Sequence, residues 1–125
     1  MEYNFIIPGR LYGLNEYTAA NRRNHYAGAK MKKEAQHIAS VHIKLSLRGL
    51  RIRKPVELHY VFYEKDKRRD HDNVSSFAHK VIQDALVECG VLVDDGWAEI
   101  VGDTNEFYVD KKNPRIEVTI KEIEE

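Results

Sequence analysis

The chain lacks most of what would place it outside the cell or in a membrane. Cys89 is the one cysteine in 125 residues, so no internal disulphide forms and a reducing compartment is expected. No apolar run approaches the roughly 18 residues that a bilayer-spanning helix needs. The opening Met1-Glu2-Tyr3-Asn4-Phe5 has neither a basic segment nor an apolar one of leader type, so no secretory signal is expected. There is no internal repeat, no low-complexity tract and no net charge. What is present is a core: 42% of residues are apolar and 10% aromatic, which excludes global disorder. A chain this long holds one domain, residues 1–125, burying somewhat under ~68–70% of its unfolded surface on folding. A soluble intracellular protein is expected.

The zero net charge hides a division. Residues 1–69 carry fifteen basic and six acidic side chains, and residues 70–125 carry five basic and fourteen acidic. The sign changes within Arg68-Arg69-Asp70. Such asymmetry fits a polyanionic partner, and mutual neutralisation of the two halves in the fold is the other reading.

Periodicity supplies the elements. Tyr3 to Ile7 reads as a strand closed by Pro8-Gly9. Residues 10–28, rich in Asn, Tyr and Arg, show no clean period and read as an irregular, mobile loop. From Ala29 to about Leu47, Met31, Ala35, Ile38, His42 and Leu45 recur at helical spacing, with Gly49 as the stop. Val56 to Tyr63 alternates as a second strand. Val74, Phe77, Ala78, Val81, Ile82, Ala85, Leu86 and Cys89 form the clearest helical stripe, and Gly90 sits where a left-handed cap belongs. Asp94-Asp95-Gly96 signals a turn. Ala98 to Val109 reads as extended, bulged at Gly102, and Ile116, Val118 and Ile120 mark a last strand paired with it as an antiparallel hairpin. The expected fold is α/β (α+β): a small mixed sheet of about four strands with two helices on one face, in the order β-α-β-α-β-β. The glutamate-rich C-terminus is the other expected mobile part.

The chemistry concentrates before the clearest helix, in Lys67-Arg68-Arg69-Asp70-His71-Asp72-Asn73. In an extended segment, Asp70 and Asp72 point to one side. Two adjacent carboxylates repel unless a cation sits between them, and an all-oxygen set favours Mg²⁺ or Mn²⁺ over zinc. The structural alternative is a helix cap at Asp72 or Asn73 and a turn at Asp70. A second acidic pair, Asp94-Asp95, follows the helix, and Lys80 lies on its polar side beside Ser76 and Asp84. Each feature alone reads equally as a turn or a solvated face. His42 and His59 read as structural histidines, and Cys89 as core.

Taken in order, Arg69-Asp70-His71-Asp72-Asn73, then Lys80 with Asp84-Ala85-Leu86, then Gly90-Val91-Leu92-Val93-Asp94-Asp95, the chain resembles the RusA family of Holliday junction resolvases, often encoded by phages and prophages. The N-terminal strand ending at Ile7-Pro8-Gly9 and the Asn- and Tyr-rich stretch after it extend the resemblance over most of the chain. It implies a metal-dependent endodeoxyribonuclease that cuts four-way junctions in recombination and repair, with Mg²⁺ (Mn²⁺ substituting) held by Asp70, Asp72 and Asp95, Asp94 beside them, and Lys80 as the helix lysine. One departure stands out. Better-known members place that lysine one turn closer to the paired aspartates, where this chain has Ser76, which implies a four-residue insertion and a displacement of roughly 6 Å.

In the mechanism so implied, the metal activates a water and Lys80 stabilises developing charge. His71, facing away from the aspartates, packs or contacts phosphate. DNA contacts are expected from Arg22, Arg23, Lys30, Lys32, Lys33, Lys67, Arg68 and Arg69, with Arg68 and Arg69 the foremost. Tyr12, Tyr17 and Tyr26 either stack on unpaired bases or pack on the surface. A two-fold junction calls for a homodimer, and a cytoplasmic, nucleoid-associated location follows. A helix from Asn73 to Cys89 is ~25 Å long, whereas the steps from Gly90 to Asp95 reach at most ~18 Å. Asp95 therefore returns to Asp70 only beside a short or bent helix. Otherwise it, or Lys80, comes from a second subunit. The rivals are a non-catalytic dimeric DNA-binding or phage regulatory protein, which has no use for the aspartates, and a small-molecule phosphohydrolase, which has no use for the basic half.

Overall fold

A computed structural model describes residues 1–124. Alternation builds its sheet. Strands β1 (Glu2–Pro8), β2 (Val56–Glu64) and β4 (Arg115–Glu122) each send every second side chain to one face. Phe5 and Ile7, then Val56, Leu58, Tyr60 and Phe62, then Ile116, Val118 and Ile120, are all buried there. Three helices cover that face: α1 (Leu14–Arg23), α2 (His25–Ser46) and α3 (His71–Glu88). The seven periodic apolar residues of α3 from Val74 to Leu86 are all buried in the same core. Cys89 is half-buried at the helix end, its Sγ 3.8 Å from the Ser40 carbonyl. Gly90 has φ +76°, with Gly90 N–H donating to the Val87 carbonyl and Val91 N–H to the Leu86 carbonyl. That is a complete Schellman ending for α3.

Three expectations are corrected. Residues 10–28 are not one loop, because Leu14–Arg23 is helical and α2 begins at His25. The element order is therefore β-α-α-β-α-β-β, with three helices. Helix α1 is short, buries only Ala20 and is held by tertiary contacts. Tyr17 packs on Phe77 with ring centroids 4.6 Å apart, and the Asn15 N–H donates to Asn73 Oδ1 at 2.9 Å. Asn24, fully extended at φ −169°, separates α1 from α2, and its side chain caps α2 by accepting from Ala27 N–H. The buried face of α2 is only partly the expected one: Ala35 is buried and Met31 packs against the core. Ala35, Ala39 and Ile43 face the core, while Ile38 and Leu45 are exposed, because small side chains let the helix lie close to the sheet.

The expected hairpin of the last two strands does not exist. Strand β3 (Ile100–Val109) pairs in parallel with β2, and β4 lies antiparallel between β1 and β2, giving the order β1-β4-β2-β3. Burial explains the choice. Ile116, Val118 and Ile120 give β4 a fully apolar face fit for a central position, whereas the polar middle of β3, Asp103-Thr104-Asn105-Glu106, suits an edge. An extra residue, Val101, is accommodated in β3 opposite the Val56–Glu57 step, next to the expected bulge at Gly102. Strands β2 and β3 are thus joined through α3 as a parallel β-α-β unit, and this places the site. Of the C-terminal run, Glu124 pairs with Lys54 at 2.9 Å, and Glu125 lies outside the described residues.

Candidate active site

The carboxyl ends of β2 and β3 and the first turn of α3 converge at one edge of the fold, where open parallel sheets bind ligands. They enclose a cleft of about 700 Å³ lined by Glu64, Lys67, Asp70, His71, Asp72 and Phe107 among others. Asp70 is the N-cap of α3: its Oδ1 accepts from Asn73 N–H at 2.8 Å, leaving Oδ2 free. Asp72 sits in the first helical turn, not in an extended segment, and both carboxylates are exposed. The helix dipole favours negative charge at this end. The capping role foreseen for Asp72 or Asn73 falls to Asp70. His71, also helical, stacks flat on Phe107 with centroids 3.9 Å apart and planes 3° apart, so it packs as expected, though from a helix.

Arg69, expected as a DNA contact, lines the cleft and also serves as a strut. It is 14% exposed and forks onto Glu64, 13% exposed, with Nε–Oε1 2.9 Å and Nη2–Oε2 3.0 Å. Its Nη1 also reaches the Leu11 carbonyl at 3.2 Å. Such a bidentate pair fixes the loop that carries Asp70. Gly13 lies against the same knot: a Cβ there would meet Asn73 Oδ1 at 2.6 Å and Arg69 Nη1 at 2.8 Å. Glu64, Phe107 and Gly13 went unread in the sequence. An arginine beside a carboxylate pair was the available signal, since buried arginines demand a partner.

Lys80 and Asp95 stand elsewhere. Lys80 Nζ is 3.2 Å from Asp84 and 3.6 Å from Asp95, and Lys32 reaches Asp84 at 2.8 Å. Burial raises the Asp84 pKa, but hydrogen bonds from Lys32 and Lys80 outweigh it and hold the carboxyl below its ordinary value. The Asp84 hydrogen bond in turn raises the Lys80 ammonium. Lys80 lies ten residues along α3 from Asp70, ~15 Å at 1.5 Å per residue. No three His, Cys, Asp or Glu side chains among the described residues cluster to hold a metal. By donor type, the oxygens of Asp70 and Asp72 suit a hard cation. Asp94 is exposed and accepts from Asp95 N–H at 2.8 Å, a turn contact.

Of the remaining basic candidates, Arg22, Arg23, Lys30, Lys33 and Lys67 are exposed and make no ion pair among the described residues. Arg68 is 87% exposed and loosely paired with Asp66 at 3.6 Å. Lys32 is committed to Asp84. Tyr12 donates to Glu34 and Tyr17 packs on Phe77, while Tyr26 is 75% exposed. His59 is satisfied by Thr104 and Glu106 on the outer sheet face. No helix among the described residues is long and apolar enough to cross a membrane.

Exposed carboxylates at a helix N-terminus, beside Lys67 at the open edge of a β-α-β unit, mark the candidate site of an α+β domain. Residues 13–121 match the family model described as Endodeoxyribonuclease RusA, and the chain belongs to that family. No curated protein matches it.

Proposed function

We propose that the chain is a Mg²⁺-dependent endodeoxyribonuclease that resolves four-way DNA junctions in recombination and repair, acting as a homodimer on DNA in the nucleoid. The observation that carries this is the exposed Asp70–Asp72 pair, with Asp70 held by the Asn73 N–H beside the Arg69–Glu64 fork, in a cleft also lined by Lys67. Asp70 and Asp72 would hold the cation, with Asp95, which lies at Lys80 in its own chain, reaching it from the second copy of the homodimer, and Mn²⁺ would substitute. When bound, the cation lowers the pKa of a water and polarises the phosphate.

The chain's own residues do the rest. Asp70 and Asp72 fix where the reacting phosphate sits. Lys80, kept charged by Asp84, neutralises charge developing on phosphate oxygens. Arg22, Arg23, Lys30, Lys33, Lys67 and Arg68 bind backbone phosphates, and Tyr26 is the tyrosine free to stack on an unpaired base. Nicking of a labelled four-way junction tests this. Asp70→Asn abolishes cleavage while junction binding persists, and wild-type cutting in excess EDTA would sink the reading. A chain that binds junctions but never cuts them in Mg²⁺ or Mn²⁺ is instead a DNA-binding protein.

A further inference from the structure

We propose that the groove between the last two turns of α2 and the end of α3 docks an acidic peptide segment of another protein, whose apolar side chains fill the hollow while its carboxylates meet Lys44 and Arg48. The groove lies at the opposite end of α3 from Asp70, ~27 Å away across the 18 residues of that helix. It is therefore independent of the nuclease reading.

Three observations lead to it. The first is a second apolar stripe on α2. A surface helix ordinarily turns one apolar face inward and a polar one outward. Ala35, Ala39 and Ile43 already supply the inward face. Along a separate line, Ile38, Val41 and Leu45 recur at i, i+3 and i+7 and are 42%, 39% and 67% exposed. Burial inside the domain does not account for them, and apolar surface gathered in one place in water marks a docking face.

The second is the hollow at the end of that stripe. Val41, Leu45, Cys89 and Val91 are among the residues that enclose about 420 Å³ where α2 and α3 finish. A concave apolar hollow receives the side chains of a docked segment, whereas helices that lie on bilayers present a convex apolar face.

The third is charge. Lys44 and Arg48 stand on the rim, exposed and without an ion pair among the described residues. Arg51 adds a third cation nearby, its Nη1 on the Gly90 carbonyl at 3.0 Å. No acidic side chain among the described residues lines the hollow, and Glu88, next to Cys89, is turned to Gln36 at 2.7 Å. An aliphatic floor with a cationic rim is complementary to an acidic segment with apolar anchors. The chain's own acidic tail is held elsewhere, with Glu124 on Lys54 and the Ile123 N–H on the Pro55 carbonyl. A second copy laid on the same patch would set Lys44 and Arg48 against their duplicates. DNA phosphates would leave the aliphatic floor without a partner.

The probe is a fluorescein-labelled peptide, Asp-Asp-Leu-Glu-Asp-Leu-Phe-Glu-Glu, titrated with the full chain and followed by anisotropy. It should bind saturably. Two altered peptides should not, one with Ser in place of Leu and Phe and one with Lys in place of Asp and Glu. Leu45→Gln and the double variant Lys44→Glu/Arg48→Glu should each weaken binding about tenfold or more. Ile6→Gln, at an exposed apolar position of β1, should leave it unchanged. All four positions are exposed, so urea midpoints should stay near wild type. Cys89 is the single cysteine and lines the hollow, so bound peptide should slow its reaction with a maleimide several-fold, which locates the site.

No saturable binding of the parent peptide overturns the proposal. Equal binding of the Ser-substituted peptide, which is charge adsorption, does the same, as does maleimide labelling that bound peptide fails to slow. If the wild type ignores the peptide while Leu45→Gln loses self-association, duplex binding or sedimentation with phosphatidylglycerol vesicles, the patch belongs to a second copy, to DNA or to a membrane, and the proposal fails. Junction nicking by Leu45→Gln should match wild type, so failure of peptide binding alongside intact nicking leaves the nuclease reading standing.

Discussion

Asp70 joins a cap to a candidate site: its Oδ1 closes the first turn of α3 through the Asn73 N–H, and the residue lines the cleft. The duties separate by substitution, because asparagine caps a helix as well as aspartate does whereas alanine does not. Asp70→Asn should leave the denaturant midpoint near wild type while ending cleavage. Asp70→Ala should end cleavage and also cost about 1 kcal/mol, read from the shift in midpoint at constant slope. Gly13 makes a comparable test of the knot behind the cap. A Cβ there meets Asn73 Oδ1, which is already accepting from Asn15 N–H, and Arg69 Nη1, which is already on the Leu11 carbonyl. Gly13→Ala should destabilise by about 1–3 kcal/mol through overpacking, and the loss should be smaller in an Asn73→Ala background, where the first clash is gone.

Helix α3 was legible because its apolar spacing is strict and its end is marked by Gly90. The same holds for β2 and β4, whose alternation survives any choice of neighbour. Helix α1 was not legible: its reasons lie in Phe77 and Asn73, some sixty residues away. Between α2 and α3, Asp84 draws in both Lys32 and Lys80, and this gives a pH signature. Its folded pKa lies below the unfolded value, so the clamp's stabilisation is full above the ordinary aspartate value of ~3.9 and fades as pH falls through the lower folded pKa. Asp84→Asn should lower stability at neutral pH and flatten its decline below about pH 4, measured as urea midpoints across that range.

Across the molecule, the charge division noted in the sequence is partly neutralised internally. Lys32, Arg69 and Lys80 turn to acidic partners, whereas Arg22, Arg23, Lys30, Lys33 and Lys67 make no ion pair among the described residues. If those five meet phosphates, log Kobs for DNA should fall with log[salt] at a slope of about −4 to −5 per protomer. Removing Arg22 and Arg23 together should reduce that slope by about 2. Junction-binding isotherms between 50 and 200 mM salt measure it, and an unchanged slope would take these two arginines out of the interface.

Local pattern was sufficient for the apolar faces, the helix cap signals and the residues able to ligate a hard cation, because burial periodicity and carboxylate chemistry are properties of neighbours along the chain. Strand order, the commitment of Arg69 to Glu64 and the separation of Asp95 from Asp70 depended on contacts between distant segments. A strand's neighbours and an arginine's carboxylate are each selected by competition among groups that meet only when the chain closes on itself.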